Sequence, residues 1–241
     1  MLIFSKTDKG KVRESNQDAF FCCELPDGSA FAIVCDGMGG ANAGNLASET
    51  AVKRIRDYVI NSYRTNMDDV AIEKMLRNAI VSANIEIYDM SVKDALLLGM
   101  GTTAVVSIIK ENSAVISYVG DSRCYKIGEG IEQLTTDHSV VQSLIEKGKL
   151  KPEDAKFHPR KNVITRAIGA EENVAPDAVT VNLEKGNSLL ICTDGLTNFV
   201  DAGEIKNIFE GYENSEIAEK LIETANLNGG GDNITVVAIT V

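Results

Sequence analysis

Apolar residues along this chain recur with two periods, and the switches between them predict the order of elements. Short apolar runs bounded by turn residues predict strands at residues 2–6, 19–25 and 30–35. Pro26-Asp27-Gly28-Ser29 separates the last two, and proline followed by Asp-Gly presets a tight turn. The period then lengthens. Leu46, Thr50, Ile55, Tyr58 and Val59 predict a helix from Asn45 to about Arg64. Ile72, Leu76, Ala79, Ile80, Ala83, Ile87 and Met90 fall at steps of three and four, predicting a second long helix from about Asp68 to Ala95. Asp68 or Asp69 is placed to cap it, because a side-chain oxygen there can accept from the first unpaired amides.

Strands return at residues 102–110, 114–119 and 123–127, the first two joined by a tight hairpin at Glu111-Asn112-Ser113. Residues 136–170 break the pattern: a short helix around 140–147, then a polar stretch holding Pro152 and Pro159. A long irregular segment in a compact chain is usually functional or mobile. Strands at 178–183 and 188–193, helices at about 202–209 and 215–225, and a strand at 234–241 complete the order. No repeat or linker interrupts it, so residues 1–241 read as one domain. The layout suits an α+β fold with two antiparallel sheets inside and helices outside.

Composition adds limits. The chain is 44% hydrophobic and 24% charged, ordinary for a globular protein that buries its own core. Its formal net charge of −11 argues against nucleic acid or anionic membrane as a partner, since both require a basic surface. Bound cations can still make a local site attractive to an anion. Apolar runs such as 189–192 and 236–239 are too short to span a bilayer, and the first residues lack the pattern of a signal peptide. A cytoplasmic location without membrane insertion is expected. The five cysteines have no C-x-x-C pair and sit in apolar strands, as expected for buried thiols in a reducing compartment.

The chemistry lies in the aspartates. The apolar run 32–35 leads into Asp36-Gly37, 115–119 into Gly120-Asp121, and 189–193 into Asp194-Gly195. Gly231-Asp232-Asn233 opens the last strand, and Asp18 precedes an early one. One Asp-Gly is an ordinary turn. A set of them at strand ends can converge on one rim, where mutual repulsion is relieved by cations. Hard ions such as Mg²⁺ and Mn²⁺ take oxygen ligands, and glycine lets a backbone carbonyl approach one closely. Two such ions ~4 Å apart can activate water and neutralise phosphate oxygens. Gly37-Met38-Gly39-Gly40 also has the look of a phosphate-cradling loop but lacks the Gly-Lys-Ser/Thr of a nucleotide site. Thr102 and Thr103 read as β-branched strand residues. His138 is placed to cap a helix or border the site; because an imidazole as a residue type can lose or gain a proton near neutral pH, it and His158 are the candidate side-chain general acids.

In order along the chain, residues 10–20, 34–40, 101–103, 119–123, 192–196 and 231–235 resemble the motifs of the metal-dependent protein phosphatases (the PPM, or type 2C, family), in particular compact bacterial members. The resemblance implies a four-layer α-β-β-α sandwich, two central antiparallel sheets flanked by helix pairs. It implies hydrolysis of phosphoserine and phosphothreonine in proteins, with Mn²⁺ or Mg²⁺ as two core ions and a third, weaker one. Asp36 would bridge the core ions, the Gly37 carbonyl would bind one of them, and Asp194 and Asp232 would complete the other. Asp121 would share the third with Asp194. Asp18 would orient water from behind, and Arg13 would grip the phosphate. A flap at about 138–169 would border the site; its Lys147, Lys149, Lys151, Lys156, Arg160, Lys161 and Arg166 read as a solvated face that also attracts acidic or phosphorylated substrates. Gln17 and Met38 stand where many eukaryotic relatives carry a metal-ligating glutamate and a histidine proposed as general acid. That leaves a metal-bound water as the default proton donor. Phosphorylated proteins, a serine/threonine kinase and its substrates are the implied partners, and a monomer is expected.

Overall fold

The computed structural model describes residues 1–39 and 43–241. Gly40, which ends the motif at 34–40, lies outside the described residues. Two antiparallel sheets form the centre. One runs β1 (Leu2–Asp8), β11 (Ile234–Thr240), β10 (Ser188–Cys192), β7 (Arg123–Ile127) and β8 (Ile131–Gln133). The other runs β2 (Asp18–Glu24), β3 (Ala30–Met38), β5 (Ala104–Ile109), β6 (Ser113–Val119) and β9 (Asp177–Asn182), with the two-residue β4 (Gly101–Thr102) paired to the end of β3. Helices α1 (Ala43–Ser62) and α2 (Asp69–Lys93) cover one outer face. The short α4 (Asp194–Thr197), α5 (Ala202–Gly211) and α6 (Asn214–Leu227) cover the other. The flap carries α3 (Val140–Glu146) and a 3₁₀ turn at Pro152–Phe157. The predicted four-layer α-β-β-α architecture is the one observed.

Central strands read as continuous apolar runs because both of their faces are covered. Along β3, Phe31, Ile33 and Cys35 pack under α1 and α2, while Ala30, Ala32 and Val34 face the opposite sheet. Each fully buried Ile or Leu of such a core contributes ~1.5–3 kcal/mol by leaving water. Asp68 does cap α2, its carboxylate accepting from the Ala71 amide at 2.7 Å. The Leu25–Ser29 turn closes through the Gly28 amide onto the Leu25 carbonyl at 2.9 Å, with Gly28 at φ +82°.

Period two also positions the site. Continuing the inward face of each strand beyond its last apolar residue gives Asp36 after Val34 on β3, Asp18 before Phe20 on β2, Thr193 after Ile191 on β10, and Thr235 before Val237 on β11. All four occupy one end of the cleft between the sheets, where apolar filling gives way to polar groups.

Candidate active site

At that end a cavity of about 260 Å³ is lined by Arg13, Asp36, Gly37, Asp121, Asp194 and Asp232, with Gln17, Met38, Gly39, Thr103 and Asn233 beside them and Asn162 and Ile164 of the flap above. Six of the seven residues singled out in the sequence therefore meet in one pocket. The seventh, Asp18, lies behind the wall, buried and paired in register with Asp36 across β2 and β3.

Each carboxylate is held by local chemistry. The Asp36 amide donates to the Thr103 hydroxyl at 3.0 Å, and its carbonyl accepts from the Thr102 hydroxyl at 2.8 Å. Thr103 in turn bonds Ser122 at 2.7 Å, beside Asp121. Asp194 opens α4 and accepts from Asn198 Nδ2 at 2.9 Å. Asp232 Oδ1 accepts from the Asn233 amide at 2.9 Å, and its Oδ2 accepts from Arg13 Nη2 at 2.8 Å. Oδ2 of Asp18 accepts from Thr193 and Thr235 at 2.9 and 2.7 Å, whereas its buried Oδ1 has no hydrogen-bond partner among the described residues. Gly195 has no room for a side chain, because a Cβ there would stand 1.9 Å from the Asn233 carbonyl oxygen. A side chain at that position would part Asp194 from Asp232.

Burial dominates the electrostatics. It pushes the Asp18 carboxyl up to about 7, with Asp194 and Asp232 adding repulsion against the pull of two threonine hydroxyls. Burial, then the charge of Asp194, pushes Asp121 up to about 7 as well. Asp36 is raised well above the usual carboxylate range by burial, then by Asp18 and Asp194. Asp194 is raised by burial and Asp232. Arg13 is raised by its bond to Asp232. Among the described residues no group of three or more His, Cys, Asp or Glu side chains converges tightly enough to make a preformed metal cage. The carboxylates share a pocket, and the Arg13 guanidinium is drawn onto one of them. The donor set still fits a hard divalent cation: four carboxylates line one cavity together with Gly37, their oxygens are hard donors, and burial leaves the charges of Asp36, Asp121 and Asp194 poorly solvated.

Sequence reasoning missed the supporting groups. Thr102 and Thr103 are more than strand residues, since their hydroxyls brace Asp36. Asn233 is a hub: Oδ1 accepts from the Gln17 amide at 2.8 Å, and Nδ2 donates to the Lys9 and Ser15 carbonyls at 2.8 and 2.9 Å. It fastens the loop carrying Arg13 to β11. Hydroxyls and amides of this kind carry no periodic signature. Their only trace is a polar residue on the inward face just past a strand's apolar run.

Neither histidine lines the pocket. Ser139, not His138, caps α3. His138 lies buried, stacked on Tyr118 with ring centroids 5.3 Å apart. Its Nδ1 accepts from the Gly120 amide at 3.1 Å, so Nε2 carries the hydrogen, 2.9 Å from Asp177 Oδ2. Burial lowers the ring's pKa against the upward pull of Asp177, and the neutral form fits this bonding. The imidazole thus ties the root of the flap to the turn before Asp121. His158 accepts from the Arg160 amide at 3.2 Å within the flap. All five cysteines are free thiols, with Cys35, Cys124 and Cys192 buried.

The model of the family described as protein phosphatase 2C matches residues 8–228. The chain is 40% identical over 236 residues to serine/threonine phosphatase stp of Listeria monocytogenes, covering 97% of this chain and 93% of that protein. It is 40% identical over 237 residues to protein phosphatase PhpP of Streptococcus pneumoniae, covering 97% and 95%. The crystal structure of serine/threonine phosphatase Stp1 from Staphylococcus aureus superposes with a TM-score of 0.93 at 33% identity over 99% of this chain and 94% of that one. The serine/threonine phosphatase of S. agalactiae gives 0.92 at 35% identity over 100% and 99%. The chain belongs to the protein phosphatase 2C family. It is a protein phosphatase, of a family that is metal dependent. Among the described residues no helix is long and apolar enough to cross a membrane.

The position of Arg13 carries a first prediction. Arg13→Ala is expected to lower kcat/KM for a phosphothreonine peptide about 10- to 100-fold, mainly through KM, because a guanidinium matches two phosphate oxygens at once. Arg13→Lys is expected to restore only part of the loss, since an ammonium is a point charge. Steady-state kinetics with both variants check this.

Proposed function

We propose that this chain is a serine/threonine phosphatase that removes phosphate from phosphoserine and phosphothreonine in proteins, using two core divalent cations, Mn²⁺ or Mg²⁺, and a third, weaker one. The observation that carries the reading is the convergence of Asp36, Asp121, Asp194 and Asp232 with Arg13 on one cavity. Asp36 would contact both core ions, the Gly37 carbonyl one of them, and Asp194 with Asp232 the other, while Asp121 and Asp194 would hold the third. Bound there, the ions supply a nucleophilic water and counter-charge for the phosphoryl oxygens. The chain's own groups do the rest. Arg13 turns from Asp232 to the phosphate and fixes its orientation. Asp18, anchored through Thr193 and Thr235, keeps its free Oδ1 as an acceptor behind Asp36. Met38 has no proton to give and neither histidine lines the cavity, which leaves water as the default proton donor to the leaving serine or threonine oxygen. A cytoplasmic monomer acting against a serine/threonine kinase fits the reading.

The test is phosphate release from a phosphothreonine peptide with Mn²⁺, with and without excess chelator. Release that stops with chelator and returns with added Mn²⁺ is expected. Release that chelator leaves unchanged would contradict the reading.

A further inference from the structure

The catalytic cavity is the middle of a longer trough under the flap. Asn162 and Ile164 both overhang it, and each also lines a neighbouring cavity. Asn162 shares with Asp121 and Asp194 a cavity of about 430 Å³, walled by Arg123, Asp137, Lys156, Asp201 and Glu204. Ile164 shares with Met38 a cavity of about 520 Å³ on the other side, walled by Ala167, Ala170, Val174 and Ala175. One flank is charged; the other is mainly apolar, with Thr165, Arg166, Glu171 and Asn173 also in its wall. Arg166, one of its two charged wall residues, is engaged by Asp177 at 3.1 Å; Glu171 is the other.

A phosphorylated residue seated in the middle cavity belongs to a polypeptide that continues in both directions. An extended chain advances ~3.3–3.6 Å per residue, so a neighbour one or two positions away passes directly over the Met38–Ile164 wall. Continuity through that shared wall identifies the occupant as the substrate chain itself. Met38 is half-buried there, and an unbranched thioether adapts to side chains of different shape.

We propose that the chamber bounded by Met38, Ile164, Ala167, Ala170 and Val174 is a specificity subsite for an apolar side chain of the phosphoprotein, one or two residues from the phosphorylated residue. This rests on the protein phosphatase reading above. Apolar flanks gain by leaving water in the chamber, whereas a charged flank gives up hydration that exposed Glu171 and the already engaged Arg166 return only in part. Ala170 is exposed at the chamber's mouth, so a larger residue there enters the chamber without disturbing the core.

The experiment uses phosphothreonine peptides that differ only at positions −2, −1, +1 and +2, each carrying Ala, Leu, Asp or Lys, hydrolysed with Mn²⁺. Para-nitrophenyl phosphate, which has no flanking chain, is the reference substrate. The wild-type chain is expected to prefer Leu over Asp or Lys about tenfold in kcat/KM at one flank. Ala170→Phe is expected to erase that preference and lower the peptide-to-reference ratio, and Ala170→Glu to shift it toward Lys. A flat profile in the wild type, or a Leu preference that survives Ala170→Phe with the melting temperature intact, would overturn the subsite while leaving the phosphatase reading standing. No hydrolysis of any peptide or of the reference compound would overturn both.

Discussion

Replacing Asp36 by Asn, or Asp194 by Ala, is expected to lower Mn²⁺-dependent phosphate release from a phosphothreonine peptide by at least about a thousandfold with little change in fold. Asp36 stands among the other carboxylates: after burial, the charges of Asp18, Asp194, Asp121 and Asp232 all raise its pKa. Removing it takes away the side chain assigned to two ions at once. Asp194 lines the cavity with the core set and its charge raises Asp121, so its loss is expected to affect both ion positions assigned to it. Neither change removes apolar packing, because both side chains extend the cleft past its core. Phosphate release beside far-UV circular dichroism checks the expectation; a folded variant that keeps full activity would contradict the assigned roles.

The second large effect is on stability, and its sign is unusual for a carboxylate-rich protein. Asp18 is held at about 7 against an ordinary 3.8, and Asp121 at about 7 as well. Between those two pH values the folded, metal-free chain keeps protons that the unfolded chain has released. Stability of the metal-free protein therefore falls as pH rises from about 4 to about 7. A shift of three units on one group corresponds to ~4 kcal/mol, and relaxation within a shared pocket reduces the net effect to ~2–4 kcal/mol. For a chain of this size that is roughly 5–15 °C in melting temperature. Carboxyls held below the usual range work in the opposite sense. Asp177 is one, brought down by His138 and Arg166 against its burial, but such groups lose their contribution only below pH 4. Thermal melts in chelator between pH 5 and 8 are expected to show the decline. Saturating Mn²⁺ at pH 7.5 is expected to reverse it, because a ligand at a hundred times its Kd adds ~2.7 kcal/mol. Asp36→Asn without metal is expected to melt above the wild type at pH 7.5. A melting temperature that rises with pH in chelator would count against the carboxylate repulsion described here.

Much of this was legible in the sequence, and the failures have physical causes. The helices α1 and α2 follow from the steps of three and four; the sequence left the cap between Asp68 and Asp69, and the structure assigns it to Asp68. The strand ends were the weakest point. The apolar run of β3 stops at Cys35, yet the strand continues through Asp36 to Met38 because Gly37 and Met38 pair with Thr102 and Gly101 from a distant segment. One strand expected at 102–110 is two, since the Thr103 amide donates to the Asp36 carbonyl at 2.9 Å and leaves the ladder there. The three-residue β8 is too short to show a period. The aspartates themselves stood out because a carboxylate at the end of an apolar strand is expensive without a reason. Thr193, Thr235 and Asn233 did not, because a hydroxyl or amide is unremarkable until its partner is known. The apolar chamber beside Met38 was equally hidden: it is made by the flap lying across the trough, which no local pattern records.

The central claim is tested most directly by calorimetric titration of the metal-free protein with Mn²⁺ at pH 7.5, wild type against Asp36→Asn. The account predicts at least two ions bound by the wild type, with proton release from the raised carboxyls, and loss of the tight sites in the variant. Equal Mn²⁺ binding by the two proteins, or none by the wild type, would contradict it.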